Sequence, residues 1–217
     1  EISRTLWRLG CSSSKIFFKL FDARVVPMLS YAAEIWGAQE FNQIEKVHIF
    51  ACKRFLNVSL HTPNYMIYGE LNRYPLLILS TVRCVAYWLR LCTLPGHRYA
   101  SMAYHSLKSL DERGKVTWVT HIRNILCSSG FGYVWLFQGV GNHRAFLLEF
   151  KQRMTDCFTQ QWSEKITSRS RYNLYTSFKG ALKPEKYLNL FTSRYVRTMF
   201  IRFRLGVTEL KSNKFRY

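Results

Sequence analysis

Cations interleaved with aromatic rings are the densest chemistry-bearing pattern in this sequence. From residue 165 to the last residue there are 13 Lys and Arg against two acidic residues, Glu185 and Glu209. They alternate with rings: Arg169, Arg171-Tyr172, Tyr175, Phe178-Lys179, Lys186-Tyr187, Arg194-Tyr195, Arg197, Phe200 and Arg202-Phe203-Arg204. A guanidinium fork pairs bidentately with phosphate, and a tyrosine ring can stack on an unpaired base. On a helix over 193–205, Val196, Met199, Phe200 and Phe203 are predicted to face a core. Arg194, Arg197 and Arg204 are then predicted toward the other side, with Arg202 flanking. The plainer alternative for the whole segment is a solvated cationic face over an aromatic core.

Other chemistries find less support. The adjacent pair Asp111-Glu112 precedes Arg113-Gly114, which is a turn composition. Glu34, Glu45 and Glu70 have no His or Asp converging on them in sequence. They are read as structural partners of nearby cations, Glu70 with Arg73 at helical spacing. His48-x3-Cys52, Cys84-x7-Cys92 and His97 could supply four zinc ligands, but no short Cys/His couple anchors such a site. Glu209-Leu210-Lys211 has the E-x-K form without a preceding P-D motif on a strand, so a nuclease reading is discounted.

The elements that must position these residues read as helices. Phe17, Leu20, Phe21, Val25, Met28, Leu29, Ala32 and Trp36 recur at helical spacing. Pro27 interrupts them, predicting two pieces meeting at a kink before Gly37. Phe41, Ile44, Val47, His48, Ala51 and Phe55 predict one face of a second helix, with Lys46, Lys53 and Arg54 off it. Thr62-Pro63 reads as an N-cap followed by proline at the first helical position, opening a short helix to residue 71. A long helix from residue 75 is stopped by Pro95-Gly96, and two more run over 100–110 and 118–127. The aromatic, glycine-rich stretch 131–141 reads as a packed connection with one turn around residues 134–135. Asn142 caps the longest helix, with Phe146, Leu147, Phe150, Met154, Cys157, Phe158, Gln161, Trp162 and Ile166 on its buried side.

Composition sets the bounds. With 217 residues, 48% hydrophobic and 16% aromatic, the chain can bury a sizeable core. Only 5 Pro and 11 Gly argue against a turn-rich sandwich or barrel. The expected class is all-α, an irregular bundle of roughly eight to ten helices with no substantial sheet. A composition shift places a soft boundary near residue 140, giving units 1–140 and 141–217. The net charge of +19 favours a polyanionic partner, nucleic acid before an anionic membrane surface. No stretch is read as approaching the roughly 18 apolar residues of a bilayer span. The six cysteines are read as buried free thiols. The chain opens on Glu1 with no signal-peptide pattern and is read as a piece of a longer protein.

An ordered set of residues carries a family resemblance. Leu20-Phe21-Asp22, Val26-Pro27, Tyr31, Glu34-Ile35-Trp36-Gly37, Ile44-Glu45, Cys52-Lys53 and Leu56 are followed by Thr62-Pro63-Asn64 and Tyr68-Gly69-Glu70-Leu71. Arg73, Pro75-Leu76 and Tyr87-Trp88 complete the set. Together they resemble the thumb and helical linker of reverse transcriptases from non-LTR (LINE-type, jockey-like) retrotransposons. No single motif is specific; order and spacing carry the likeness. The resemblance implies a thumb-like unit over 1–140 and a basic linker unit over 141–217. It implies a non-catalytic grip on template RNA, cDNA hybrid or target DNA, with the rest of the polymerase chain as a further partner and no membrane. Mg2+ and two-metal phosphoryl transfer would belong to a palm whose aspartate pair this sequence lacks, so no cofactor is expected here. An intracellular, nuclear location with cytoplasmic assembly follows. Lys15, Lys19, Arg24, Lys46, Lys53, Arg54 and Arg73 become candidate phosphate contacts, beside Arg169, Arg171, Arg194, Arg197, Arg202 and Arg204 of the basic segment. The alternative is a helical scaffold docking partner proteins through its aromatic-rich 131–162 region, which exposed Trp135 or Trp162 would support.

Overall fold

The computed structural model describes residues 13–39, 41–190 and 193–206, with the side chain of Arg171 excluded. Ile2, Leu6 and Leu9, whose spacing predicts a short leading helix ending at Gly10, and the E-x-K at 209–211 lie outside them. The described residues contain no strand and twelve α-helices. These are α1 Ser14–Leu29, α2 Ala33–Trp36, α3 Asn42–Leu56, α4 Asn64–Leu71, α5 Leu76–Thr93 and α6 Tyr99–Glu112. They continue as α7 Trp118–Ser128, α8 Gly132–Leu136, α9 His143–Thr167, α10 Asn173–Phe178, α11 Tyr187–Leu190 and α12 Arg194–Arg204. The count exceeds the eight to ten expected because α2, α8 and α11 are single turns of four or five residues. All-α is the class.

Two compact units form, and they interleave along the sequence. The first takes the described residues of 1–29, 43–74 and 158–217; the second takes 30–42 and 75–157. A single cut near residue 140 therefore separates pieces that fold together.

In the first unit, Phe17 and Phe18 of α1 pack on Phe55 of α3 with ring centroids 4.9 and 5.3 Å apart. Phe158 receives the ring edges of Tyr68 and Tyr74. Trp162 is fully buried and donates from Nε1 to the Tyr65 carbonyl at 2.8 Å. Gly69 of α4 makes room for it: a Cβ there would lie 2.9 Å from the Trp162 ring and collide with the Tyr175 hydroxyl. Pro27 does not kink α1 midway. It sits in the last turn, the helix ends at Leu29, and the reversal falls at Ala32 in the left-handed region (φ 53°). Without an N–H, and with its ring against the carbonyl four residues back, proline weakens the turn it occupies. Thr62 is not a cap either. Pro63 holds that position, and the Thr62 Oγ1 is buried without a hydrogen-bond partner.

The predicted face of α3 is also rotated. His48, Ile49, Cys52, Lys53, Phe55 and Leu56 are buried, while Phe41 and Val47 are exposed. Lys53 goes inward because the loop after the helix offers it an acceptor: its Nζ donates to the Leu60 carbonyl at 2.7 Å. Its apolar stem can then cover core while the head stays satisfied.

The second unit is built on α5. Its core joins Trp88 and Leu89 to Val119, Ile122 and Leu126 of α7, Val134 of α8 and Phe146 and Phe150 of α9. Gly37 closes α2 with an ordinary helical φ of −68°, so its use is spatial. A Cβ there would stand 2.6 Å from the Ser80 carbonyl oxygen. Thr81 donates to the Gly37 carbonyl at 3.2 Å and the Cys84 Sγ to that of Glu34 at 3.0 Å, locking α2 on α5. Asn142 caps α9 as expected, its Oδ1 accepting from the Ala145 N–H at 3.0 Å. Helix α5 corrects one expectation: at 18 residues and mean hydropathy 1.4, it has the length and composition of a membrane span. Trp88, Leu89, Val85 and Cys84 are fully buried in the core, which is the use the fold makes of that apolar face.

Candidate nucleic-acid interface

The cations of the basic segment divide into buried and exposed sets, and the division reverses the predicted face of α12. Arg197, Thr198, Ile201 and Arg204 are buried, while Val196, Met199, Phe200 and Phe203 are 37–48% exposed. Buried carboxylate and aromatic partners draw the arginines inward. Glu70 of α4 has no exposed surface, and its Oε1 accepts from the Arg204 Nε at 3.2 Å and Nη2 at 3.0 Å. The Tyr187 hydroxyl donates to the other oxygen of Glu70. Arg204 also lies 3.4 Å from Glu185, which pairs with Lys179 at 2.6 Å. Burial works against the Arg204 charge, but the Glu70 carboxylate outweighs it and holds the guanidinium above the usual arginine pKa. Burial, then the Glu70 charge, pushes the Tyr187 phenol up. The Glu70–Arg73 pairing read from spacing does not form.

Arg197 is 1% exposed, its guanidinium 4.7 Å above the Phe55 ring centroid. Burial and the neighbouring Arg194 lower its pKa. Arg194 is half-buried, lowered by burial and by Arg54, so these guanidinium groups lie near one another. Arg202 is half-buried and donates to the Asn57 carbonyl at 3.2 Å.

Arg73 is likewise engaged. It forks onto Asp22 at 2.5 and 3.1 Å, and its Nε donates to His48 Nε2 at 3.0 Å. The other ring nitrogen of His48 meets Glu45 at 2.7 Å, and the Tyr68 hydroxyl donates to the same Glu45 oxygen at 2.6 Å. His48 is thus committed to this network. Among the described residues no three His, Cys, Asp or Glu side chains gather as a metal-ligand set. Only its Glu45–His48 leg follows helical spacing within α3; Asp22 of α1 and Arg73, just past α4, are joined to it by packing that no spacing within one helix shows.

Among the described side chains, the cations that stay on the surface of the first unit are Lys15, Lys19, Arg24, Lys46, Arg54, Lys165, Arg169, Lys183 and Lys186, all exposed. Lys15, Lys19, Arg24, Lys46, Lys165 and Arg169 have no carboxylate partner among the described residues. The units are of nearly equal size but unequal charge. The described residues of the first carry 17 Lys and Arg against 5 Asp and Glu, net +12; those of the second carry 10 against 5, net +5.

Each unit also contains a cavity. In the first, Pro63, Asn64, Tyr65, Lys165, Arg169 and Tyr172 line about 270 Å3. Lys165 entered the sequence reading only as part of a charge count; its pairing with the start of α4 required the fold. In the second, Trp36, Phe41 and Trp118 line about 350 Å3, with Gln39 Nε2 2.9 Å from His121 Nε2. The tryptophans of the aromatic-rich region are packed, Trp162 fully buried and Trp135 stacked on Trp88 at 5.6 Å. No protein-family model, curated protein or solved structure matches this chain.

Proposed function

We propose that this chain is a non-catalytic nucleic-acid grip, the thumb and linker segment of an RNA-directed DNA polymerase of the LINE type. Its first unit would hold template RNA with cDNA, or target DNA, through Lys and Arg contacts to phosphate. One observation carries the reading: the described residues of the first unit carry net +12 against +5 on the second, and Lys15, Lys19, Arg24 and Lys46 stand exposed on its α1 and α3 without carboxylate partners among the described residues. Such contacts position a duplex without reading its sequence, and a hybrid is held by its shape. The duplex-gripping side chains in this reading are Lys15, Lys19, Arg24, Lys46 and Arg54, while Arg169 borders the cavity of the unit. Arg73, Arg197 and Arg204 support the body from inside.

The test is the salt dependence of binding to an RNA–DNA hybrid. The apparent constant should fall steeply as salt rises. Lys15→Gln with Lys19→Gln should reduce the log–log slope by about one for each phosphate no longer held. Binding that ignores salt would sink the grip. A second reading, partner docking, has one observation of its own: Leu136 and Phe137 are adjacent and 79% and 81% exposed. Leu136→Ser with Phe137→Ser should then abolish a protein interaction while leaving hybrid binding unchanged.

A further inference from the structure

The cavity of the first unit combines three features that converge on one chemistry. Lys165, in the last turn of α9, and Arg169, just past its end, both line it, and neither has a carboxylate partner among the described residues. The start of α4 forms another wall through Pro63, Asn64 and Tyr65. The first N–H groups of a helix have no partner within it and carry a partial positive charge. Tyr65 is half-buried, its ring nearly parallel to Phe158 at 12° and 6.4 Å, so a braced aromatic surface borders the cations. At about 270 Å3 the space falls at the lower edge of ligand pockets, which run roughly 300–1,000 Å3. That space is far too small for a duplex.

We infer that this cavity is a subsite for a single unpaired nucleotide, holding its phosphate between Lys165, Arg169 and the start of α4, with its base against Tyr65. The inference deepens the grip reading and rests on it for its source, a strand end. The phosphate itself could equally come from a free nucleotide. Lys15, Lys19, Arg24 and Lys46 lie on exposed helix surface and line no part of this cavity, so the subsite is distinct from the duplex-holding surface on α1 and α3. Two cations converging on one phosphate act at short range, where charge-assisted hydrogen bonds exceed neutral ones.

The experiment titrates the intact chain with adenosine 5′-monophosphate and with adenosine, followed by calorimetry or amide shifts. The monophosphate should bind about tenfold or more tighter, and Lys165→Gln with Arg169→Gln should erase that preference. A charge-matched control on the second unit, Lys151→Gln with Arg153→Gln, should keep it. Equal binding of the two ligands, or equal loss in both variants, overturns the subsite. A hybrid with a 5′-phosphorylated single-stranded overhang should displace the monophosphate, and the same hybrid with a 5′-hydroxyl should displace it less. Displacement by neither assigns the site to the free nucleotide and still supports the pocket. Blunt hybrid bound with its full salt slope by the Lys165/Arg169 variant shows the grip intact, so the two readings fail separately.

Discussion

Glu70 is a carboxylate with no exposed surface, held by Arg204 and Tyr187. Such a set contributes little net stability against an apolar replacement, but removing one partner leaves a buried charge uncompensated. Arg204→Ala is therefore expected to cost roughly 3–5 kcal/mol, read from urea midpoints at an unchanged slope. Glu70→Gln combined with Arg204→Met should cost less than that single change. A loss below about 1 kcal/mol for Arg204→Ala would place the arginine outside any such pair. The same geometry means that reversing Arg197 and Arg204 probes folding and not ligand contact.

Cysteine chemistry at this scale is divided by burial. Cys52 and Cys84 are fully buried, and burial pushes their thiols up to about 12 and about 11. Cys127 and Cys157 are exposed, against the expectation of uniformly buried thiols. Iodoacetamide at neutral pH should modify Cys127 and Cys157 in the folded chain and reach Cys52 and Cys84 only on unfolding, as peptide masses would show. The sign of the pH effect follows. Above about 8.5 the unfolded Cys52 thiol loses its proton while the folded one keeps it, so the folded state binds more protons. Stability should fall as pH rises from there toward the folded value, and Cys52→Ala should flatten that part of the curve.

At the scale of elements, close approach decides more than propensity. Helix α2 has four residues, too few to persist by its own hydrogen bonds. It holds because Gly37 lets its end meet the backbone of α5, where a Cβ would be 2.6 Å from the Ser80 oxygen. Gly37→Ala should destabilise the second unit by about 1–3 kcal/mol through this overlap. Hydrogen exchange along α5 near residues 80–84 should report it first. Retained protection there would mean that α2 gives way without cost. The rotated faces of α3 and α12 have the same origin, since Lys53, Arg197 and Arg204 each find a buried acceptor or ring that outweighs the apolar alternative.

Across the whole molecule, the interleaving of the units makes the N-terminal helices depend on the C-terminal ones. The first unit needs Trp162 against α4, Tyr175 on the Met66 carbonyl and Arg204 on Glu70. Residues 1–140 expressed alone should lose near-ultraviolet ellipticity from that half, and adding 141–217 should restore it. A cooperative, fully folded 1–140 would show that the two stretches are independent. Charge at this scale follows the division: net +12 collects on one unit and +5 on the other.

Helix class, the extents of α5, α6 and α7, the cap at Asn142 and the buried line Phe146–Phe150–Trp162–Ile166 were all legible in the sequence. They depend on hydrophobic period, capping groups and proline stops, which act over a few residues. The basic excess was legible as well, because charge is a sum over residues. Which cations face inward was not, nor that Glu70 meets Arg204 or that Lys165 meets the start of α4. Those pairings join residues up to 134 positions apart. Helical spacing orders neighbours within one element and carries no information about which element will be packed against it.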